Sequence, residues 1–326
     1  MAKTLVGLDL GHYSIKIVEV IKKKKKMDLI SCNLRTIPRG ASFEDKLNSV
    51  RTLYKESRVS NPRVKISVAG KNVITRYAVF PSLSKRDLAR SLKFEFEKYI
   101  PFPMHESVVD LDILEKRTDG NLNVLIASAK KHFINERVKF IRQVGLIPES
   151  ISVDSLALYK TFAESPYFSK EKSFILLNIG ARISNLIIVR HKTPVFSRDI
   201  NIGGENFTSS ISDKMDLPFH KAEELKYNPD PNSIFRTISI DLNAMVNEME
   251  LSIEYAKRNY GLGDIQCVYL SGGSAKFKGL DKILEDSLKI KVDLWNPFIK
   301  LQKAKQFNIL QEYYPDLILS LGIALT

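Results

Sequence analysis

GLDLGHYSIK at residues 7–16 and LNIGARIS at residues 177–184 decide how the chain is read, because each sets a glycine turn directly after an apolar, strand-like run. Laid one over the other, Asp9, Leu10 and Gly11 fall on Asn178, Ile179 and Gly180, with strands of similar character on both sides. The match predicts an internal duplication in which each half opens with a β-meander. TLVGLDLG, SIKIVEVIKK and MDLISCNLRTI form the first; SFILLNIGARISNLIIVR and TPVFSRDINIGG form the second. Lys22 to Lys26 fall at the turn between the second and third strands. A charge run there is either a solvated loop or a contact with acidic lipid or a partner.

Between the meanders, Leu47, Val50, Leu53 and Tyr54 follow helical spacing, and RVKISVAG and NVITRYAVF return to strand. Ser84 with Asp87 three residues on resembles a capping box, opening a helix whose Leu88, Leu92, Phe96 and Tyr99 repeat at helical intervals. IPFP stops it, since Pro101 and Pro103 cannot continue a helix. The strand VVDLDIL, the turn RTDGN, the strand LNVLIASA, the helix FINERVKFIRQVG and the strand ESISVDS complete a small α/β unit read as an insertion over residues 82–158. After the second meander come helices at NFTSSISDKMDL and KAEELKY, and a long one striped by Leu242, Met245, Val246, Met249, Ile253 and Ala256. DIQCVYL is a buried strand ending in SGGSAKFKGL, which leads into the helix LDKILEDSL, and YPDLILSLGIALT is a final helix.

The 326 residues are 44% hydrophobic and 27% charged, enough for a large core and about two domains. Lys and Arg exceed the acidic residues by 13, which favours anionic partners without choosing among nucleic acid, lipid and phosphate ligands. No aromatic-basic recognition module accompanies the charge, so nucleic acid is not expected. Cys32 and Cys267 are too few for a disulfide framework, and the five His residues lie far apart, against a zinc cluster. No apolar run approaches the ~20 residues of a spanning helix and no signal segment opens the chain, so a cytoplasmic protein is expected.

GxxxxGK[ST], GxSxG, HExxH and CxxC are all absent, and GLGDIQ precedes a strand instead of following one. What remains are three glycine turns after strands, at Gly7–Gly11, Asn178–Ala181 and Ser271–Ser274. Such turns let main-chain amides approach an anion, and each alone is equally a tight hairpin or helix entry. Their order along the chain, DxG, then NxG, then AExxK on a helix, then SGGSAKFKGL, resembles the actin, Hsp70 and hexokinase superfamily. Within it, FEFEKYIPFP, VLIASAKKHFINERVKFIRQVGLIPESISVD and IGGENFT…AEELK resemble the PilM family of type IV pilus assembly proteins, which is related to FtsA.

The resemblance covers essentially the whole chain. It implies an α/β fold of two duplicated RNase H-like domains with an inserted subdomain. The first core would span residues 1–81 and 159–170, the insertion 82–158, the second core 171–205 and 262–326 with the last helix packing back on the first, and a helical subdomain 206–261. It also implies ATP or ADP with Mg²⁺ in the cleft between the halves. Asp9 would face the metal through water, Gly11, His12, Tyr13 and Ser14 would surround the phosphates, and Lys16 would be a polar partner. Asn178, Gly180, Ala181, Arg182 and Ser184 would form the second phosphate loop, with Gly203 and Gly204 beside it. Glu223 and Lys226 occupy the ribose-contacting positions, where a spacing of three puts both on one helix face. Gly272, Gly273, Ser274 and Lys276 would flank the adenosine.

The family's second loop normally starts with an acidic residue, and Asn178 cannot supply that charge. Slow hydrolysis at most is therefore expected, with no catalytic residue assigned. The resemblance further implies a scaffold, recruited to the inner membrane, that serves twitching motility and docks the cytoplasmic N-terminal tail of a PilN-like membrane protein, with pilus motor ATPases as further partners. Leu88, Leu92, Phe96, Tyr99, Ile100 and Phe102 are the candidate tail-binding residues, with internal core as their other reading. Two alternative readings are an FtsA-like filament former, which would carry a membrane helix beyond the core, and a sugar kinase, which would need a cleft carboxylate that no motif marks.

Overall fold

The structure is a computed structural model that describes residues 3–23, 26–227 and 231–326. Lys24 and Lys25 of the lysine run lie outside the described residues. The first half opens with the antiparallel meander β1 (Lys3–Leu10), β2 (Ser14–Lys23) and β3 (Lys26–Thr36), followed by α1 (Phe43–Glu56) and β4 (Arg63–Val68). Ser42 caps α1, exchanging hydrogen bonds with Asp45 in a capping box. Then come β5 (Val73–Phe80), α2 (Lys85–Phe94), α3 (Phe96–Tyr99), β6 (Ser107–Lys116), β7 (Leu122–Lys130), α4 (Lys131–Val144), β8 (Ile147–Val153) and α5 (Asp154–Glu164).

The second half repeats the plan. β9 (Ser173–Ile179), β10 (Ser184–Arg190) and β11 (Thr193–Ile200) make the meander; α6 (Gly204–Met215), α7 (Phe219–Leu225), α8 (Pro231–Thr237) and α9 (Ser239–Tyr260) follow. β12 (Ile265–Ser271), α10 (Leu280–Leu288), β13 (Val292–Leu294) and α11 (Leu310–Leu325) close the chain. The two large sheets have the orders β3-β2-β1-β4-β8 and β11-β10-β9-β12-β13, with three antiparallel strands continued by two parallel ones in each. Asp9 pairs with Lys16 across β1–β2 where Asn178 pairs with Asn185 across β9–β10, so the duplication holds at the level of register. β9 is buried along its whole length, as an uninterrupted Phe-Ile-Leu-Leu run in a central strand requires.

The inserted unit has other boundaries than the sequence suggested. Its sheet is β5-β7-β6, so NVITRYAVF belongs to it, whereas the strand read from ESISVDS pairs in parallel with β4 in the first large sheet. α4 likewise belongs to the first core, where Ile141 and Leu146 are buried with Val50, Leu53 and Val64. The reason is topological: two parallel neighbours such as β4 and β8 need a crossover, and residues 73–130 are an elaboration of it. The small sheet closes its own core, and Leu88, Leu92, Phe96 and Ile100 are buried in it, with Tyr99 and Phe102 half-buried against it. The expectation that these side chains form a docking surface is thereby corrected for the four buried ones. Helical spacing marked an inward face.

α11 packs back on the first half, against α5, β1 and β2. The approach leaves no room for side chains: a Cβ on Gly7 would run into the Ser320 carbonyl oxygen, and one on Gly322 into that of Ala157. Lys65 of β4 donates to the Ala324 carbonyl at 3.1 Å, satisfying the helix end. No helix of the described residues is long and apolar enough to cross a membrane. Gly322→Ala, which would stabilise an open helix by about 1 kcal/mol, should instead destabilise this protein by about 1–3 kcal/mol, read as a lowered urea midpoint. An unchanged or raised midpoint would show that the helix can shift away.

Candidate functional site

The carboxyl ends of β1 and β9, the start of β2 and the turn after β12 all open on one cleft of about 400 Å³ between the halves. Polar groups at strand ends facing a crevice are where α/β sheets bind ligands. Asp9, Gly11, His12, Tyr13, Ser14 and Lys16 enter it from the first turn, and Asn178, Gly180, Ala181 and Arg182 from the second. Gly204, Glu223 and Lys226 line it from α6 and the end of α7, and Gly272, Gly273, Ser274 and Lys276 from the turn after β12.

Two expected residues play other parts. The Ser184 hydroxyl is buried and donates to the Ile202 carbonyl at 2.6 Å, which ties β10 to the loop before α6. Gly203 does not line the cleft; a Cβ there would meet the Ala181 carbonyl at 2.6 Å, so its role is to let α6 start against the second turn. The next two amides follow suit, Gly204 N–H donating to Gly180 O at 2.9 Å and Glu205 N–H to Ala181 O at 2.7 Å.

Ion pairs dominate the rest. Lys16 Nζ lies 2.9 Å from Asp9 Oδ2, with both side chains mostly buried. Lys226 Nζ lies 2.7 Å from Glu223 Oε2, which also accepts from the Thr208 hydroxyl, and it donates to Gly204 O at 3.2 Å. Burial pushes the Lys226 ammonium below its ordinary value, and the Glu223 carboxylate opposes that shift. Lys276 pairs with Asp316 of α11 at 3.0 Å and sits 4.1 Å from the centroid of the Tyr313 ring, with Tyr227 on another side at 5.6 Å. Burial, with the nearby Arg182 and Arg137 charges, lowers the His12 pKa below its usual value.

Asn178 is buried with both ends of its amide engaged. Ser271 Oγ donates to its Oδ1 at 3.2 Å, and its Nδ2 donates to Asn185 Oδ1 at 3.2 Å. Asn185 passes the chain on to Asp199 at 2.8 Å, and Asp199 accepts from Gly70 N–H at 2.6 Å.

Sequence reasoning missed Asp154, Arg137, Tyr227, Tyr313 and Asp316. Asp154 had a readable signal, because it stands near the carboxyl end of a predicted strand, as Asn178 and Ser271 do. Its carboxyl accepts from Ser67 Oγ at 2.5 Å at the floor of the cleft. Burial pushes its pKa up to about 7; the Ser67 bond opposes this and the Asp9 and Asp199 charges add to it. Among the described residues no group of three His, Cys, Asp or Glu side chains is placed to hold a metal ion.

Comparison with known proteins bears on the family and the fold. The sequence model of the family described as type IV pilus assembly protein PilM matches residues 7–326. A solved PilM–PilN type IV pilus biogenesis complex superposes with a TM-score of 0.85 at 26% identity, covering 98% of this chain and 97% of that one. The ethanolamine utilization protein EutJ from Carboxydothermus hydrogenoformans follows at 0.56 and 14% identity over 100% of this chain and 90% of that one. MreB 5 of Spiroplasma citri bound to AMPPNP matches at 0.52 and 11% over 99% and 95%. The last two likenesses establish the actin-like fold.

The raised Asp154 pKa has a stability consequence. The unfolded chain loses this proton near the usual aspartate value and the folded chain near 7, so stability present below about pH 4 is lost as pH rises through about 7. Asp154→Asn removes the titration. In urea unfolding without nucleotide, its stability relative to the parent should rise by more than about 1 kcal/mol between about pH 4 and pH 8. A gap independent of pH would refute the assignment.

Proposed function

The chain belongs to the PilM family of type IV pilus assembly proteins, and on that premise we propose that its cleft binds an adenine nucleotide and that it docks the cytoplasmic tail of a PilN-like membrane protein at the inner membrane. The observation that carries the nucleotide reading is the convergence of three glycine turns, far apart in sequence, on one cleft already furnished with paired charges. Main-chain amides at such turns suit phosphates, and the Glu223–Lys226 pair, held on one helical face, suits two vicinal hydroxyls.

The donor set fits Mg²⁺ in a limited way. That ion keeps several waters and takes one or two carboxylates plus phosphates. Asp9 is the metal-facing carboxylate and is already engaged by Lys16, so the nucleotide phosphates would supply most of the coordination. Bound there, the ion would neutralise phosphate charge. Asn178 adds no charge, and its amide is committed to Ser271 and Asn185, which favours slow turnover. Asp154, with a pKa near 7, is the cleft group best able to accept a proton from a water at neutral pH.

Calorimetry should show ATP and ADP binding in the presence of Mg²⁺, GTP binding less, and Asp9→Ala weakening both adenine nucleotides. Turnover should fall below the ~1 s⁻¹ of ordinary enzymes. Failure of every nucleotide to bind at millimolar concentration would remove the reading.

The tail reading rests on family membership and on the similarity to a PilM in complex with PilN over nearly the whole chain. We place the docking beside the small unit, where Phe94 at the end of α2 is 91% exposed and Met104 and Val108 are exposed nearby in sequence. β5 and β6 are the edges of its sheet, and an extended peptide can pair with such an edge while its apolar side chains fill adjacent pockets. Titrated with the cytoplasmic N-terminal peptide of the PilN-like protein, Phe94→Asp and Val108→Asp should each weaken binding by about tenfold without lowering the melting temperature. Undiminished binding by both would place the tail elsewhere.

A further inference from the structure

Five lysine and arginine side chains line the cleft: Lys16, Arg137, Arg182, Lys226 and Lys276. Four of them are neutralised by carboxylates of the protein, Lys16 by Asp9 at 2.9 Å, Arg182 by Glu205 at 2.8 Å, Lys226 by Glu223 at 2.7 Å and Lys276 by Asp316 at 3.0 Å. Arg137 differs. Among the described residues no carboxylate pairs with it, and its recorded partner is the Phe133 ring one turn back on α4, 5.1 Å from the guanidinium carbon to the ring centroid.

Its place is specific. Arg137 belongs to the walls of both the cleft and a groove of about 1120 Å³ that runs between α1, α4 and α7, so it stands where the one opens into the other. Gly11, His12 and Arg182 of the two phosphate turns share that junction with it. Desolvation by burial lowers its pKa, with the Asp154, Asp9 and Glu136 charges acting the other way, so its surroundings are partly stripped of water at the Asp9 end of the cleft.

A partly buried guanidinium that no carboxylate pairs with directly keeps its donors free, and a protein that pairs every other cation in the same cleft leaves this one for an anion from outside. The planar guanidinium offers donors in a fork that matches phosphate oxygens, and the Phe133 ring beneath it holds its direction. We propose that Arg137 receives the outermost phosphate of a nucleoside triphosphate bound in the cleft, so that α4 distinguishes the triphosphate from the diphosphate. The proposal rests on the nucleotide reading above and adds to it a residue that belongs to neither glycine turn.

The test compares Arg137→Gln and Arg137→Lys with the parent, using Mg²⁺ with ATP or with ADP in calorimetry, and melting of each nucleotide-free protein. ATP affinity should drop by about tenfold or more in Arg137→Gln, the scale of a charge-assisted hydrogen bond, and ADP affinity by less than about threefold. Arg137→Lys should fall between, because a point charge on a flexible stem keeps attraction and loses the fork. Melting without nucleotide should change little in Arg137→Gln, since among the described residues no ion pair is lost with the guanidinium. Equal loss of ATP and ADP, or unchanged ATP affinity, overturns the assignment while leaving nucleotide binding intact. A parent protein that binds neither nucleotide overturns both.

Discussion

α11 touches β1 backbone to backbone at Gly7 and α5 backbone to backbone at Gly322, and this contact seats the helix that ties the third glycine turn to the first half. The helix belongs to the last stretch of the chain, yet it lies on the first sheet, held at its end by Lys65. Its other end reaches the second half: the Pro315 carbonyl accepts from Gly272 N–H at 2.8 Å, and Asp316 pairs with Lys276. One helix therefore fixes the third glycine turn relative to the first. A side chain at position 7 or 322 would have to push the helix off β1 or α5, and with it the attachment of the third turn.

The charges inside the cleft are arranged with the same economy. Pairing four of the five cleft cations to carboxylates limits the desolvation penalty of holding several charges in a small volume, and it keeps those side chains oriented before any ligand arrives. The arrangement also explains the amide at position 178. Asn178 accepts from Ser271 and donates to Asn185, whose own donor is spent on Asp199. A carboxylate there would keep the first bond and set its second oxygen against the Asn185 carbonyl oxygen, leaving a buried charge facing an acceptor. The departure from an acidic residue is thus built into a chain of hydrogen bonds that crosses β12, β9, β10 and β11 to the turn at Gly70.

The duplication was legible because glycine turns after apolar runs leave a pattern in sequence, and the Asp9–Asn178 equivalence survives in the strand register. Most of the residues to which the resemblance pointed do line the cleft, and the spacing of three that put Glu223 and Lys226 on one helix face is realised as their ion pair. The limits of the inserted unit were not. Val73–Phe80 and Ile147–Val153 read alike as strands, and only the partner each finds, β7 for one and β4 for the other, assigns them to different sheets. Leu88, Leu92, Phe96 and Ile100 show the same gap, because a helical stripe marks an apolar face without saying what covers it. Arg137 was beyond sequence reading altogether. Its distinguishing property is a missing carboxylate, which exists only once the neighbours are in place.

The small unit is tied to both halves. β7 ends at Lys130 and α4 begins at Lys131, so the chain passes from the small sheet straight into the helix that carries Arg137 to the cleft. On its other side, Thr75 of β5 meets Ser197 of β11 at 2.9 Å, and Glu115 of β6 accepts from the Thr193 hydroxyl at 2.8 Å and pairs with Lys192 at 3.5 Å. These second contacts are few and polar, of the kind that break and reform at modest cost, whereas the join to α4 is covalent and continuous with the first core. The small unit is thus joined to the first core through the chain itself and to the second sheet through side-chain contacts.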